Sequence, residues 1–172
     1  MRFSALNLLA LLSASLSTAA PTELTNFLLV TTDQPEPNYN SSNLKAVSAT
    51  SLFDPYYQPA LLLRLIGPGY GSLPNFTLAS GTLHTVASGP HGIGVYEYNS
   101  TTVVAGQELQ FLAAGQPDGN LALSEGYLLS VGGETDGWAI CEGQLSAMTL
   151  WWKGAASNCT RTWVHAVTKA PY

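Results

Sequence analysis

Short β-branched and aromatic runs, each cut off by Gly, Pro, Asn, Asp or Ser, recur from Asn26 to the end of the chain, and helical periodicity is nearly absent. A chain interrupted that often has no room for long helices. It can place short extended segments side by side, which is the pattern of an antiparallel β-sandwich or barrel. Candidate strands are 26–31, 44–51, 60–66, 75–79, 82–88, 93–98, 109–114, 121–124, 127–131, 138–141, 147–152 and 162–167. An all-β fold of about ten to twelve short strands is therefore expected. Ser80-Gly81 and Pro117-Asp118-Gly119-Asn120 read as tight hairpins, the second combining a proline that presets φ with a glycine that accepts φ > 0. Residues 33–42 and 67–74 read as exposed loops. Neither is long enough for a domain linker and no repeat is present, so residues 20–172 are expected to form one domain.

The first residues read as an address. Arg2 supplies a positive n-region, Leu8 to Leu12 the centre of an apolar stretch, and Ser17-Thr18-Ala19-Ala20 small residues for cleavage. Cleavage after Ala19 keeps Pro21 away from the cut, so residues 1–19 are expected to be a secretory signal peptide. No later stretch is expected to cross a bilayer, because Arg64 and Gly67-Pro68-Gly69 break up the strongest apolar run. The C-terminus lacks the hydrophobic tail of a lipid-anchor signal, so no membrane anchor is expected.

Secretion agrees with two further features. Asn40, Asn75, Asn99 and Asn158 each open an N-glycosylation tripeptide. Cys141 and Cys159 are the only cysteines, and an oxidising compartment favours pairing them. Such a bond would tie together the two final strands. A two-thiol metal site is the alternative; it would need two more ligands, and nothing in the spacing of His165 or Glu142 recommends them.

Charge excludes one class of partner. Six Lys+Arg stand against eleven Asp+Glu, with a pI near 4.9. Nucleic acid calls for a basic patch, so no nucleic-acid partner is expected. Catalytic motifs are absent: there is no Gly-x-Ser-x-Gly elbow, and His84, His91 and His165 lack metal-motif spacing. No catalytic residue, metal or cofactor is assigned. Glu134, Asp136 and Glu142 cluster around Trp138 and are the acids a polysaccharide-active enzyme would use. Adjacent Trp151 and Trp152 must point to opposite faces of a strand, one into the core and one outward. Trp151, Trp152, Tyr56, Tyr57 and Tyr70 are the candidate contacts for a glycan.

The segment Gly137-Trp138-Ala139-Ile140-Cys141, followed by an aromatic strand and then Asn158-Cys159-Thr160 with a closing valine-rich strand, resembles small secreted fungal glycoproteins of the PhiA cell-wall protein type. Phe27-Leu28-Leu29-Val30-Thr31 and Phe76-Thr77-Leu78 suit the same layout. The resemblance implies an extracellular or wall-associated protein without established catalytic residues, in which the two cysteines and Trp138 are structural. The Trp151-Trp152 pair has no place in that pattern. The function expected is thus a non-catalytic cell-wall or matrix glycoprotein with a structural or adhesive role, contacting wall polysaccharide or another extracellular protein. A small secreted polysaccharide-active enzyme and a released effector or allergen-like binding protein are the alternatives.

Overall fold

The computed structural model describes residues 24–36, 43–55, 60–71, 73–89 and 92–172. Its strands are β1 (Leu24–Thr32), β2 (Ser48–Phe53), β3 (Ala60–Ile66), β4 (Phe76–Ala79), β5 (Thr82–Ser88), β6 (Val95–Ser100), β7 (Gln107–Glu108), β8 (Gln110–Leu112), β9 (Leu121–Ser124), β10 (Leu128–Val131), β11 (Trp138–Glu142), β12 (Met148–Trp152), β13 (Cys159–Arg161) and β14 (Trp163–Val167). The antiparallel all-β expectation holds. Hydrogen-bonded neighbours run β13-β11-β12-β3-β8-β6-β5-β4-β1-β14-β10-β9, with β2 pairing both β1 and β3, and β7 added to β12. Because β2 joins β1 to β3, the path β1–β2–β3–β8–β6–β5–β4 returns to β1 as a barrel-like circuit. Two wings leave it, β14–β10–β9 from β1 and β12–β11–β13 from β3.

β1 is the junction of this arrangement. It pairs β14 from Leu28↔Val167 to Thr32↔Trp163, β2 at Val30 and Thr31, and β4 at Leu24 and Phe27. The register shifts between Leu24 and Phe27, where Asn26 takes φ 60, a left-handed conformation that asparagine tolerates better than most residues. Both faces of β1 are covered. Phe27 and Leu29 enter the main core, while Val30 packs with Leu44 and Val167 in a smaller cluster outside it. Strands buried on both faces read as continuous apolar runs, as Phe27 to Val30 does here.

The main core draws on the circuit and on both wings. Phe76, Phe111, Leu63 and Leu83 come from the circuit, and Trp138, Leu150, Trp152, Leu129 and Val164 from the wings. Trp138 joins the wings directly: its Nε1 donates to the Leu129 carbonyl at 2.9 Å, and its ring meets Trp152 edge-on at 5.0 Å. Edge-to-face pairs of this kind contribute about 0.5–1.5 kcal/mol beyond their buried area.

Three expectations need correction. The segment 44–51 is strand only from Ser48, because Leu44 to Val47 turn, with Ala46 at φ 47, to set Leu44 over the smaller cluster. β13 lies outside every expected strand; three residues long and largely exposed, it carries no periodic signal. Pro117 to Asn120 is not a hairpin, since β8 pairs β3 and β6 while β9 pairs β10. That segment instead docks on the β4–β5 turn, with Gly119 N donating to Ser80 O and Leu121 N to Gly81 O. The Ser80-Gly81 hairpin itself is as expected, with φ of 47 and 74 at its two turn residues. Asn120 completes the dock: its Oδ1 accepts from Val103 N and its Nδ2 donates to Val103 O, both at 2.9 Å.

The docking depends on two facing glycines. A Cβ on Gly119 would stand 2.1 Å from the Gly81 carbonyl oxygen, a backbone atom that cannot swing aside. Gly119→Ala is expected to cost about 2 kcal/mol or more. Urea unfolding measures this, and a variant as stable as the parent would refute the contact.

His165 sets a second expectation. It is 1 % exposed on β14, its Nε2 donates to Gln34 O at 3.0 Å, and its ring lies 5.2 Å from that of Tyr127. Burial lowers its pKa from 6.5, partly opposed by the Gln34 carbonyl and the Glu36 charge. The unfolded chain therefore takes up this proton first as pH falls. Stability conferred by neutral His165 is present above about pH 6.5 and declines below it, towards the lower folded pKa. Thermal melts from pH 7.5 down to 5 should show the parent losing more stability than His165→Gln; parallel curves would remove His165 as the cause.

Candidate functional site

The tryptophans divide between core and surface. Trp152 was a candidate glycan contact, but it is 4 % exposed against Trp138 and cannot meet a polysaccharide. Its neighbour Trp151 points to the other face and is half-buried. There its Nε1 donates to Thr149 Oγ1 at 2.9 Å, and that hydroxyl donates to Glu108 Oε1 at 2.8 Å. The disulfide adjoins the same face. Cys141 and Cys159 are directly opposed on β11 and β13 with their Cα atoms 4.1 Å apart, so the bond fastens an edge strand and does not join the last two strands. Gly154 packs against it so closely that a Cβ there would lie 2.7 Å from Cys141 Sγ.

The three acids do not act as one group. Glu134 pairs with Lys153 at 2.6 Å and Asp136 with Arg161 at 3.3 Å, all four exposed around an open depression of about 740 Å³. Glu142, at the exposed end of β11, does not line it. Among the described residues no group of three His, Cys, Asp or Glu side chains could hold a metal.

The acceptor asparagines also separate. Asn75 and Asn158 are exposed. Asn99 is 6 % exposed on β6, and its Nδ2, the atom a glycan would take, donates to Ala114 O at 3.0 Å. A glycan there is incompatible with this packing. Asn40, Tyr56, Tyr57, His91 and residues 1–19 lie outside the described residues.

Tyr70 is the candidate contact that faces an opening. Half of it (50 %) is exposed, and it forms a wall shared by two depressions of about 590 and 600 Å³. The first lies between the ends of β2 and β3 and the β5–β6 hairpin, lined by Phe53, Asp54, Tyr70, Pro74, Val86 and Val95. Leu73, Pro74 and Val86 in turn bound a third depression, of about 440 Å³, which holds Asn75, His84 and Glu97. The three depressions form a track with shared walls. Arg64, which lines the depression on the β12 side, donates to the Tyr70 hydroxyl, its guanidinium 5.4 Å from that ring and 4.9 Å from Phe53. Tyr98, on β6, is buried. Burial, then the charges of Asp54 and Tyr96, raises its hydroxyl pKa above the usual tyrosine range.

No family model, curated protein or solved structure matches this chain. The site is therefore read from its own geometry.

At the far end of the track the His84 tautomer is determined by its neighbour. Asn99 Nδ2 donates to Ala114 O, so Oδ1 faces His84 Nδ1, and that nitrogen must carry the hydrogen. Nε2 is then left as an acceptor. Glu97 Oε1 stands 3.5 Å from the same Nδ1.

Three residues beside the track carry signals that pattern reading passed over. Arg64 is the lone charge in the run Ala60–Ile66. Leu145 and Ser146, in the turn from β11 to β12, take φ of 55 and 54, with Ala147 N bonding back to Gln144 O. Such a two-residue turn favours Asn-Gly, and a leucine in the left-handed region costs roughly 1–2 kcal/mol.

The Cys141–Cys159 bond bears directly on stability. Closing an 18-residue separation should stabilise the fold by about 3 kcal/mol in the chain-entropy account. The Cys141→Ser/Cys159→Ser double variant is expected to lose about that much in denaturant unfolding. A loss under ~1 kcal/mol would mean that pairing within the sheet alone holds β13.

Proposed function

We propose that this chain is a secreted, non-catalytic glycoprotein of the cell wall or extracellular matrix that contacts wall polysaccharide along the track centred on Tyr70. The observation that carries the reading is the half-exposed Tyr70 ring, held by Arg64 at the meeting of two depressions. A ring already fixed before binding loses little entropy on contact. Its π-face suits the C–H face of a sugar, and Ser51, Ser88 and Asp54 nearby suit the hydroxyls. The signal-peptide pattern of residues 1–19 and the exposed Asn75 and Asn158 acceptors support this reading. The ion-paired state of Glu134 and Asp136 favours binding over hydrolysis.

Co-sedimentation with insoluble chitin and β-glucan tests this reading. The parent should be retained by at least one of them. Tyr70→Ala should lower the affinity at least tenfold, about 1.4 kcal/mol. A parent that stays wholly in solution with both polymers overturns the proposal.

A further inference from the structure

The depression on the β12 side of Tyr70 has a chemistry unlike the rest of the track. Among the described residues that line it Arg64 is the only charged one, and Ile66, Tyr70, Leu145 and Met148 supply apolar walls. Arg64 has no anionic partner: its Nε is buried without a hydrogen-bond partner, its remaining contacts are the Tyr70 hydroxyl and the Phe53 and Tyr70 rings, and none of its nitrogens lies within 4.0 Å of a carboxylate among the described residues. A half-buried arginine with no carboxylate beside it can take an anion from outside.

The rim supports the same conclusion from a separate direction. Leu145 is 65 % exposed and Met148 is exposed beside it, so neither side chain serves the core. Leu145 also occupies a left-handed position in a turn that glycine or asparagine would fill without strain. Leu145 and Met148 together leave an apolar rim open to solvent beside Arg64.

We infer that this depression binds a monocarboxylic acid with an apolar body, its carboxylate on the Arg64 guanidinium and its aliphatic or aromatic part against Leu145, Met148 and Tyr70. This ligand is distinct from a neutral wall polysaccharide, and the inference stands whether or not that proposal survives. The carboxylate supplies the anionic partner that Arg64 lacks. The body covers the surface that Leu145 exposes.

The test is amide chemical-shift titration of the ¹⁵N-labelled protein with octanoate. Acetate serves as charge without body and 1-octanol as body without charge. Octanoate should give saturable shifts at residues 64–67 and 143–148, with acetate and 1-octanol at least tenfold weaker. Arg64→Gln should bring octanoate down to the level of 1-octanol. Leu145→Gly relieves the turn, so it should melt higher than the parent yet bind octanoate several-fold more weakly; a purely structural Leu145 would change the melting temperature alone. If Arg64→Gln fails to fold, Arg64→Lys should keep binding within a few-fold while Leu145→Gly still loses it. Equal affinity for octanoate and 1-octanol overturns the inference. So does unchanged octanoate affinity in a folded Arg64→Gln or in Leu145→Gly.

Discussion

The indole of Trp138 closes this structure. Its ring fills the place where the two wings meet, and its one donor reaches a backbone carbonyl on the opposite wing. A buried N–H without a partner would cost about 1–3 kcal/mol, so the Leu129 carbonyl must stay where it is. That requirement propagates outward. It holds β10 beside β14, which pairs β1, and it holds β11 beside β12, which reaches β3. The neighbouring Gly137 fits the same constraint, because a Cβ there would stand 2.6 Å from the Trp152 ring.

Strand identity was legible wherever a run faced the core. The segments 60–66, 82–88 and 121–124 coincide with β3, β5 and β9, where Leu61, Leu63, Leu83 and Leu121 enter the main core. Legibility failed where pairing rests on something other than alternation. β13 is an exposed tripeptide fastened by a disulfide, and its register follows from Cys159 lying opposite Cys141. The Pro117–Asn120 segment has the residues of a turn, but those residues serve a backbone-to-backbone dock on a distant hairpin. Turn chemistry states what the chain can do locally and leaves open what it meets.

The site was legible only in part, for a related reason. Parity required one of Trp151 and Trp152 to turn inward, and the core chose Trp152 because it pairs across from Trp138. Tyr70 was legible as an aromatic in a Gly- and Pro-rich loop. The partner that orients it, Arg64, was passed over as a break in an apolar run. Asn99 reads as a surface acceptor because its tripeptide is polar. It is buried because β6 passes between β5 and β8 at that point. Tripeptides and single residues carry chemical identity; exposure is a property of the whole sheet.

The pairing of β1 with β14 also orders events in time. Leu28 must find Val167, near the opposite end of the chain, before either strand is complete. Contacts of such long sequence separation are slow to form, since the intervening chain must first be brought together. Synthesis delivers β14 after every strand of the barrel-like circuit, so the circuit can assemble while β1 keeps one edge open. Until β14 is made, β1 therefore presents one unpaired edge, and β14 is the strand that seals it.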